Sequence, residues 1–499
     1  MKILPALLLL LCRCPLFAQE TVADTAVVFK KRVLETIEVD LLSSYYKQEG
    51  IHSAVGGGLG TEKLTDVASD IIVAVPLNDD DVLTFDAGFS AYTSASSSNI
   101  NPFFTDGTYS NTNNTGASSR YAAGTANRDG DDDDDDYGGS ASTPAPYGSP
   151  WIQSTGASVK DVLVTLSAQY SHSSDDRNTI WNANVSGSNE YDYQSFGFGA
   201  GLAKLFNEKN TEVSLKATAY MDKWKPIYPT ELHEYAENGL NFLNRGYFNG
   251  VIIYDQNGQE STNYLPAAFT EFSNKKRNSY SVSLGFTQIL TKKLQLSLFL
   301  DALYQEGLLS TPYHRIYFAD KANYYIGQAR YIPVYNSADN KGIFRLADDV
   351  ERLPDTRYKL PIGARLNYYL NDFMVLRTYY RYYTDDWGLQ SHTASIEVPI
   401  KLGSGFTIMP MYRFYTQVAA KYFAKQDMHY SFEKYYTSDY DLSSFDSHQY
   451  GMGASYTDIM QGFRILSMGL KTIDFRYNHY QRSDSLEADI FSLGIKFAH

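Results

Sequence analysis

The residues with the most conspicuous chemistry are seven aspartates, Asp129, Asp131, Asp132, Asp133, Asp134, Asp135 and Asp136, set among Gly, Ser and Asn. Carboxylate oxygens suit Ca²⁺ or Mg²⁺. An unbroken run does not space its ligands into a cage, and blocks of like charge repel and stay solvated. The expectation is a flexible acidic loop, with loose Ca²⁺ binding as the sharper alternative and no other cofactor. Gly56-Gly57-Gly58-Leu59-Gly60-Thr61 invites a phosphate-cradling reading. That chemistry needs a following helix and a Lys-Ser/Thr pair, whereas Glu62 and Lys63 lead toward another strand. A glycine-dense loop pressed against neighbouring backbone is expected instead. His392 and His479 have no second catalytic member that spacing identifies, and triads are defined by geometry. No enzyme is assigned.

A second set of charges recurs at alternate positions opposite apolar residues. The basic members are Arg357, Lys359, Arg365, Arg377, Arg381, Arg413 and Arg476, and the acidic ones Asp86, Asp161, Glu212, Asp301, Glu397 and Asp474. Charges of both signs on one face of a sheet suit the inside of a closed barrel, where they line a water-filled path or pair across it. Thr115-Gly116-Ala117-Ser118 and Thr155-Gly156-Ala157-Ser158 loosely match the core of flavin-attachment sites but lack an upstream Asp, so covalent FMN is not expected.

The elements that must carry these charges are strands. From Tyr358, one face reads Tyr358, Leu360, Ile362, Ala364, Leu366 and Tyr368, and the other Arg357, Lys359, Gly363, Arg365 and Asn367. Period-two alternation marks a pleated strand with two different faces. Sixteen such segments are predicted, near 35–47, 67–77, 82–93, 157–172, 177–188, 191–206, 210–223, 276–290, 294–306, 356–370, 373–386, 388–402, 405–418, 445–457, 470–482 and 486–498. Many exceed the usual five or six residues of globular strands and reach the 9–11 that a tilted strand needs to cross hydrocarbon. Tyr280, Tyr304, Tyr358, Tyr368 and Tyr382 stand at ends of apolar faces, where an aromatic belt belongs. Connector length sorts by parity. The long ones (48–66, 94–156, 224–275, 307–355 and 419–444) are all odd-numbered, as in barrels with long outer loops, short periplasmic turns and both termini inside. Only 458–469 is long among the even ones.

Residues 1–18 read as a cleaved signal peptide, with Lys2 before an apolar core and Leu16-Phe17-Ala18 before the cut. Residues 19–34 then form a periplasmic segment, and 35–499 a transmembrane antiparallel β-barrel with an Asp/Gly/Ser-rich outer loop at 94–156. Cys12 and Cys14 leave with the signal, so thiol chemistry and disulfides are excluded from the mature chain. A net charge of −14 with basic residues directed inward or scattered excludes nucleic acid as a partner.

Several stretches resemble a barrel family common in Bacteroidota, the domain of unknown function 3570. They include Ser53-Ala54-Val55-Gly56-Gly57-Gly58-Leu59-Gly60-Thr61-Glu62-Lys63-Leu64-Thr65-Asp66, Lys223-Trp224-Lys225-Pro226-Ile227-Tyr228-Pro229, Arg476-Tyr477-Asn478-His479-Tyr480 and Gln481-Arg482-Ser483-Asp484. The resemblance implies an outer-membrane location, with a periplasmic redox or flavin-related protein as partner. It names no site. The barrel itself places the chain among lipids and lipopolysaccharide, and the long outer loops, read as a platform, would bind a lipoprotein. Tyr313–Tyr335 and Tyr412–Tyr440 are dense in Tyr and Phe, which favours ordered loops packed over the mouth. The functional expectation is a gated conduit or an export or assembly platform, and the alternative a porin-like channel for small anionic solutes.

Overall fold

The computed structural model describes residues 32–96, 161–190, 192–335, 343–458, 460, 462–465 and 467–499. The acidic run, both flavin-like motifs and the signal segment lie outside these residues. Sixteen antiparallel strands form one ring: β1 (Glu38–Glu49), β2 (Glu62–Pro76), β3 (Asp81–Ser96), β4 (Asp161–Ser173), β5 (Thr179–Asn189), β6 (Tyr193–Phe206), β7 (Thr211–Trp224), β8 (Lys276–Thr291), β9 (Leu294–Gly307), β10 (Thr356–Asn371), β11 (Met374–Asp385), β12 (Gln390–Glu397, continuing as Ile400–Gly403), β13 (Phe406–Val418), β14 (Phe445–Thr457), β15 (Met468–Arg482) and β16 (Glu487–Ala498). Each pairs with its sequence neighbours, and β1 also pairs with β16 from Glu38↔Ala498 to Glu49↔Glu487. No edge is left. That closure is what hydrocarbon demands, because unpaired backbone groups there cost several kcal/mol each.

The sequence boundaries hold to within a few residues, with two corrections. Strand β2 begins at Glu62 rather than 67, because Glu62 N donates to Gly50 O and the strand pairs β3 from Glu62↔Ser96. The first connector is therefore 50–61. Strand β12 is interrupted at Val398-Pro399, where proline has no N–H for the ladder, although Pro399 O still accepts from Val375 N. The segment Tyr412–Tyr440 divides as the strand boundary at 418 places it, residues through Val418 in β13 and the rest in the connector.

The outward face is apolar and exposed, as at Val162, Val164 and Leu166 on β4, Phe196 and Phe198 on β6, and Leu360 and Ile362 on β10. Aromatic contacts frame this band. Tyr280, Tyr304 and Tyr358 stack across three adjacent strands, and Tyr412 packs on Tyr450. At the opposite end Tyr170 packs on Trp181, and its hydroxyl and the His172 ring both bond Asp81. His392 and His479 join the first belt, bonded to Tyr380 Oη at 2.7 Å and Asp489 at 3.0 Å. Belts of this kind mark two membrane interfaces. The first described residues and the last lie with the short turns: Val33 N bonds Asp79 O, and His499 N bonds Ile37 O. The long even-numbered connector carries a two-residue strand, Arg464–Ile465, folded back on Met468 and Gly469.

With lipid-facing side chains unable to form a core, the core forms elsewhere. The largest fully buried side chains (Arg315, Phe242, Phe248, Phe318, Leu232, Ile316, Ile326, Ile343, Leu346, Glu231 and Glu351) all come from the 225–275 and 308–355 connectors. These fold with 50–61 and 419–444 into a cap. At its centre Arg315 Nε donates to Glu231 Oε1 at 2.8 Å, both side chains being at most 1% exposed. Arg315 Nη1 also donates to Val55 O, Glu231 Oε1 accepts from Ala347 N, and the guanidinium lies over Phe344. Gly57, at φ +73°, sits where an added Cβ would be 2.6 Å from the Tyr317 ring. Here only glycine fits, for both its conformation and its size.

Two outcomes check this architecture. Replacing Glu231 by Ala strands a buried guanidinium, at a cost of roughly 3–5 kcal/mol. Limited proteolysis should then cut the 225–275 and 308–355 connectors while the barrel stays folded in unheated gels. Ile362→Arg places a charge on the lipid face near mid-strand, a loss of roughly 2–4 kcal/mol, and should lower folding yield into vesicles, whereas a conservative Ile362→Leu should not.

Candidate functional site

Alternation sends every second side chain inward, and the inner surface is divided by charge. On β10 and β11 the inner face carries Arg357, Lys359, Arg365, Arg377 and Arg381, and β13 adds Arg413. The register sets Arg365 beside Tyr379, Arg381 beside Gly363, and Arg413 beside Ser395. Strands β2 and β3, eight places away in a ring of sixteen, carry inward Asp66, Asp70 and Asp86. The basic wall and this acidic wall therefore face each other across the lumen. From strand spacing and tilt the ring is about 30 Å across.

Not all of the basic wall is free. Arg357 is held by Asp385 at 2.5 Å. Glu397 is shared by Arg377 at 2.9 Å and Arg476 at 2.7 Å. Arg476 reaches Glu397 from β15 over β14 and β13, passing Met409 and Gly453, where a side chain would crowd its stem. Of the two roles expected for these charges, lining a path or pairing across it, three of the seven basic residues take the second, sharing two carboxylates. Lys359, Arg365, Arg381 and Arg413 form no hydrogen bond or ion pair among the described residues. Arg365 lies over the rings of Phe299 and Tyr379, and Arg381 beside Tyr383; Arg413 and Arg365 are solvent-exposed inside the ring.

The acidic candidates are spread around the wall. Asp301 is on β9, Asp474 on β15 and Glu212 on β7, each in the inward register. Asp86 Oδ1 is buried without a hydrogen bond. Asp161 opens β4 opposite Tyr92. Asp66 and Asp70 were missed in the sequence because the second strand was begun one residue beyond Asp66 and Asp70 was not counted among the inward charges; Asp66 accepts from Ser90 Oγ at 2.6 Å.

Above the charged walls the cap bridges the mouth. The 50–61 connector leaves between β1 and β2 and the 308–355 connector between β9 and β10, on opposite sides of the ring, yet Val55 O and Arg315 Nη1 meet at 3.2 Å. The expected glycine-dense loop is the first partner in this bridge. Gln426 Nε2 donates to Gly56 O, and the His52 ring stacks on Tyr440 at 3.8 Å between centroids. Beneath it a cavity of about 300 Å³ is lined by Arg413, Tyr415, Gln449 and Tyr480, and by Asp441, Phe445 and Arg482. Arg482 closes one side, bonded to Asp441 at 2.5 Å and lying over Phe445. Burial shifts the carboxyls of this end upward: Glu190 is pushed to about 7, with Asp192 adding to the effect, and Asp348 to about 6.

Among solved structures, the fold is similar to a bacterial polysaccharide outer-membrane secretin (8% identity, TM-score 0.38, covering 92% of this chain and 98% of the other). It is similar also to a BenF-like porin from Pseudomonas fluorescens (8%, 0.35, 93% and 98%) and to the outer-membrane protein opdK from Pseudomonas aeruginosa (7%, 0.34, 93% and 100%). No curated protein matches. The model of a protein family of unknown function, DUF3570, matches residues 8–491, nearly the whole sequence, and the chain belongs to that family.

Proposed function

We propose that this protein is a gated conduit of the outer membrane, with the cap and long loops outside, the short turns and both termini in the periplasm, and a lumen that favours small solutes bearing an anionic group. The observation that carries the reading is the contact of connectors from opposite sides of the ring above a lumen that keeps solvent-exposed, unpaired Arg365 and Arg413. Arg365, held only by aromatic rings, and Arg413 are available to a passing anion, and the facing Asp66, Asp70 and Asp86 disfavour a purely anionic flow along the whole width. Cap residues buried as deeply as a domain core argue for a closed resting state that opens by movement of the cap as a unit, not for a permanently open pore.

A second reading, a platform for a partner lipoprotein or surface ligand, is favoured by one feature. Phe432 is 81% exposed on the 419–444 connector and stacks on Tyr430 at 5.3 Å, with exposed Met428 nearby in sequence.

Single-channel conductance in planar bilayers separates them. The wild type is expected to show brief or small openings, and a variant with a loosened cap (Glu231→Ala) a larger, steadier conductance with anion preference. Arg365→Gln and Arg413→Gln in that background should each lower the anion preference by about twofold, the effect of one charge some 8 Å from the path in water. Silence from both folded proteins refutes the conduit and leaves the platform.

A further inference from the structure

The seam between the 308–355 and 419–444 connectors holds a second kind of chemistry. The two are tied by reciprocal backbone bonds between Arg352 and Tyr436. Beside that tie, His314 and Glu351 from one connector meet Asp439 from the other. His314 Nδ1 lies 3.6 Å from Glu351 Oε2 and 3.9 Å from Asp439 Oδ2, and the three ligand atoms are all within 4.8 Å of one another. Nδ1 itself is fully buried and makes no hydrogen bond. An imidazole nitrogen shut away from water faces two carboxylates at ion-pair distance without a hydrogen bond to either, and a buried polar atom without a hydrogen bond is costly.

Both carboxylates are also held from outside. Glu351 Oε1 accepts from Thr311 N at 2.7 Å, and Oε2 from Thr437 Oγ1 at 2.5 Å. Asp439 Oδ1 accepts from Asp441 N at 2.9 Å, which turns Oδ2 toward the imidazole. This is the outer support that orients metal ligands. A tetrahedral Zn²⁺ with N and O ligands at about 2.0–2.2 Å sets them roughly 3.3–3.6 Å apart. Two of the three separations need shrink little, and the third by about 1.5 Å at most on those bond lengths.

We infer that His314, Glu351 and Asp439 form a binding site for a divalent transition-metal ion of the Zn²⁺ class, with a water completing the coordination, and that the ion latches two cap connectors together. One nitrogen and two carboxylate oxygens select such an ion over the all-oxygen preference of Ca²⁺. The site differs in place and chemistry from the aspartate run at 129–136. Binding is independent of conduction, whereas an effect on opening rests on the gated-conduit reading, which the conductance measurement tests separately.

The full-length folded barrel, stripped by chelator, is titrated calorimetrically with ZnCl₂ beside His314→Gln and Asp439→Asn. The expected result is one tight equivalent in the wild type and binding at least about tenfold weaker in each variant. The wild type alone gives a second reading: Zn²⁺ should slow proteolysis of the 308–355 and 419–444 connectors, and chelator should restore it. No zinc uptake by the wild type, or equal uptake by all three proteins, overturns the site. Uptake without any change in cleavage overturns the latch.

Discussion

The structure depends on one constraint: a sheet in hydrocarbon must leave no backbone group unpaired. Pairing β1 with β16 along its full length meets it, and most other features follow. Once the ring is closed, its outward residues face lipid and contribute no protein core. Its inward residues face water or each other, so they can be charged. The tightly packed interior that a soluble domain places between its layers is displaced into the connectors.

That displacement explains the character of the cap. It has the aromatic packing of a domain core, with Phe242 against Phe248 and Tyr264, and it also buries charges. The Glu231–Arg315 pair is an expensive way to gain stability, since desolvation offsets most of the attraction. What it supplies is position: the guanidinium reaches Glu231, Val55 O and the Phe344 ring at once, fixing three connectors against one another.

The lumen obeys a different economy. Glu397 shared by Arg377 and Arg476 stiffens the wall over five strands, while Arg365 and Arg413 remain exposed to solvent. The acidic residues of β2 and β3 stand half a circumference away, too far to neutralise them.

Much of this was legible in the sequence. Alternation such as Tyr358–Tyr368 against Arg357–Asn367 determined which residues face lipid, because side-chain period in a strand is fixed by the pleat. The sorting of long and short connectors determined their common ends, because antiparallel neighbours alternate direction. Val398-Pro399 gave little warning of a break, since a proline can still accept through its carbonyl. What only the tertiary structure decided is who meets whom across the ring. Arg476 finding Glu397, Val55 finding Arg315, and His314 finding Asp439 join residues 79, 260 and 125 positions apart. Period and parity assign a face and an end to each residue, but connector conformation and the curvature of the closed sheet set the distances between them.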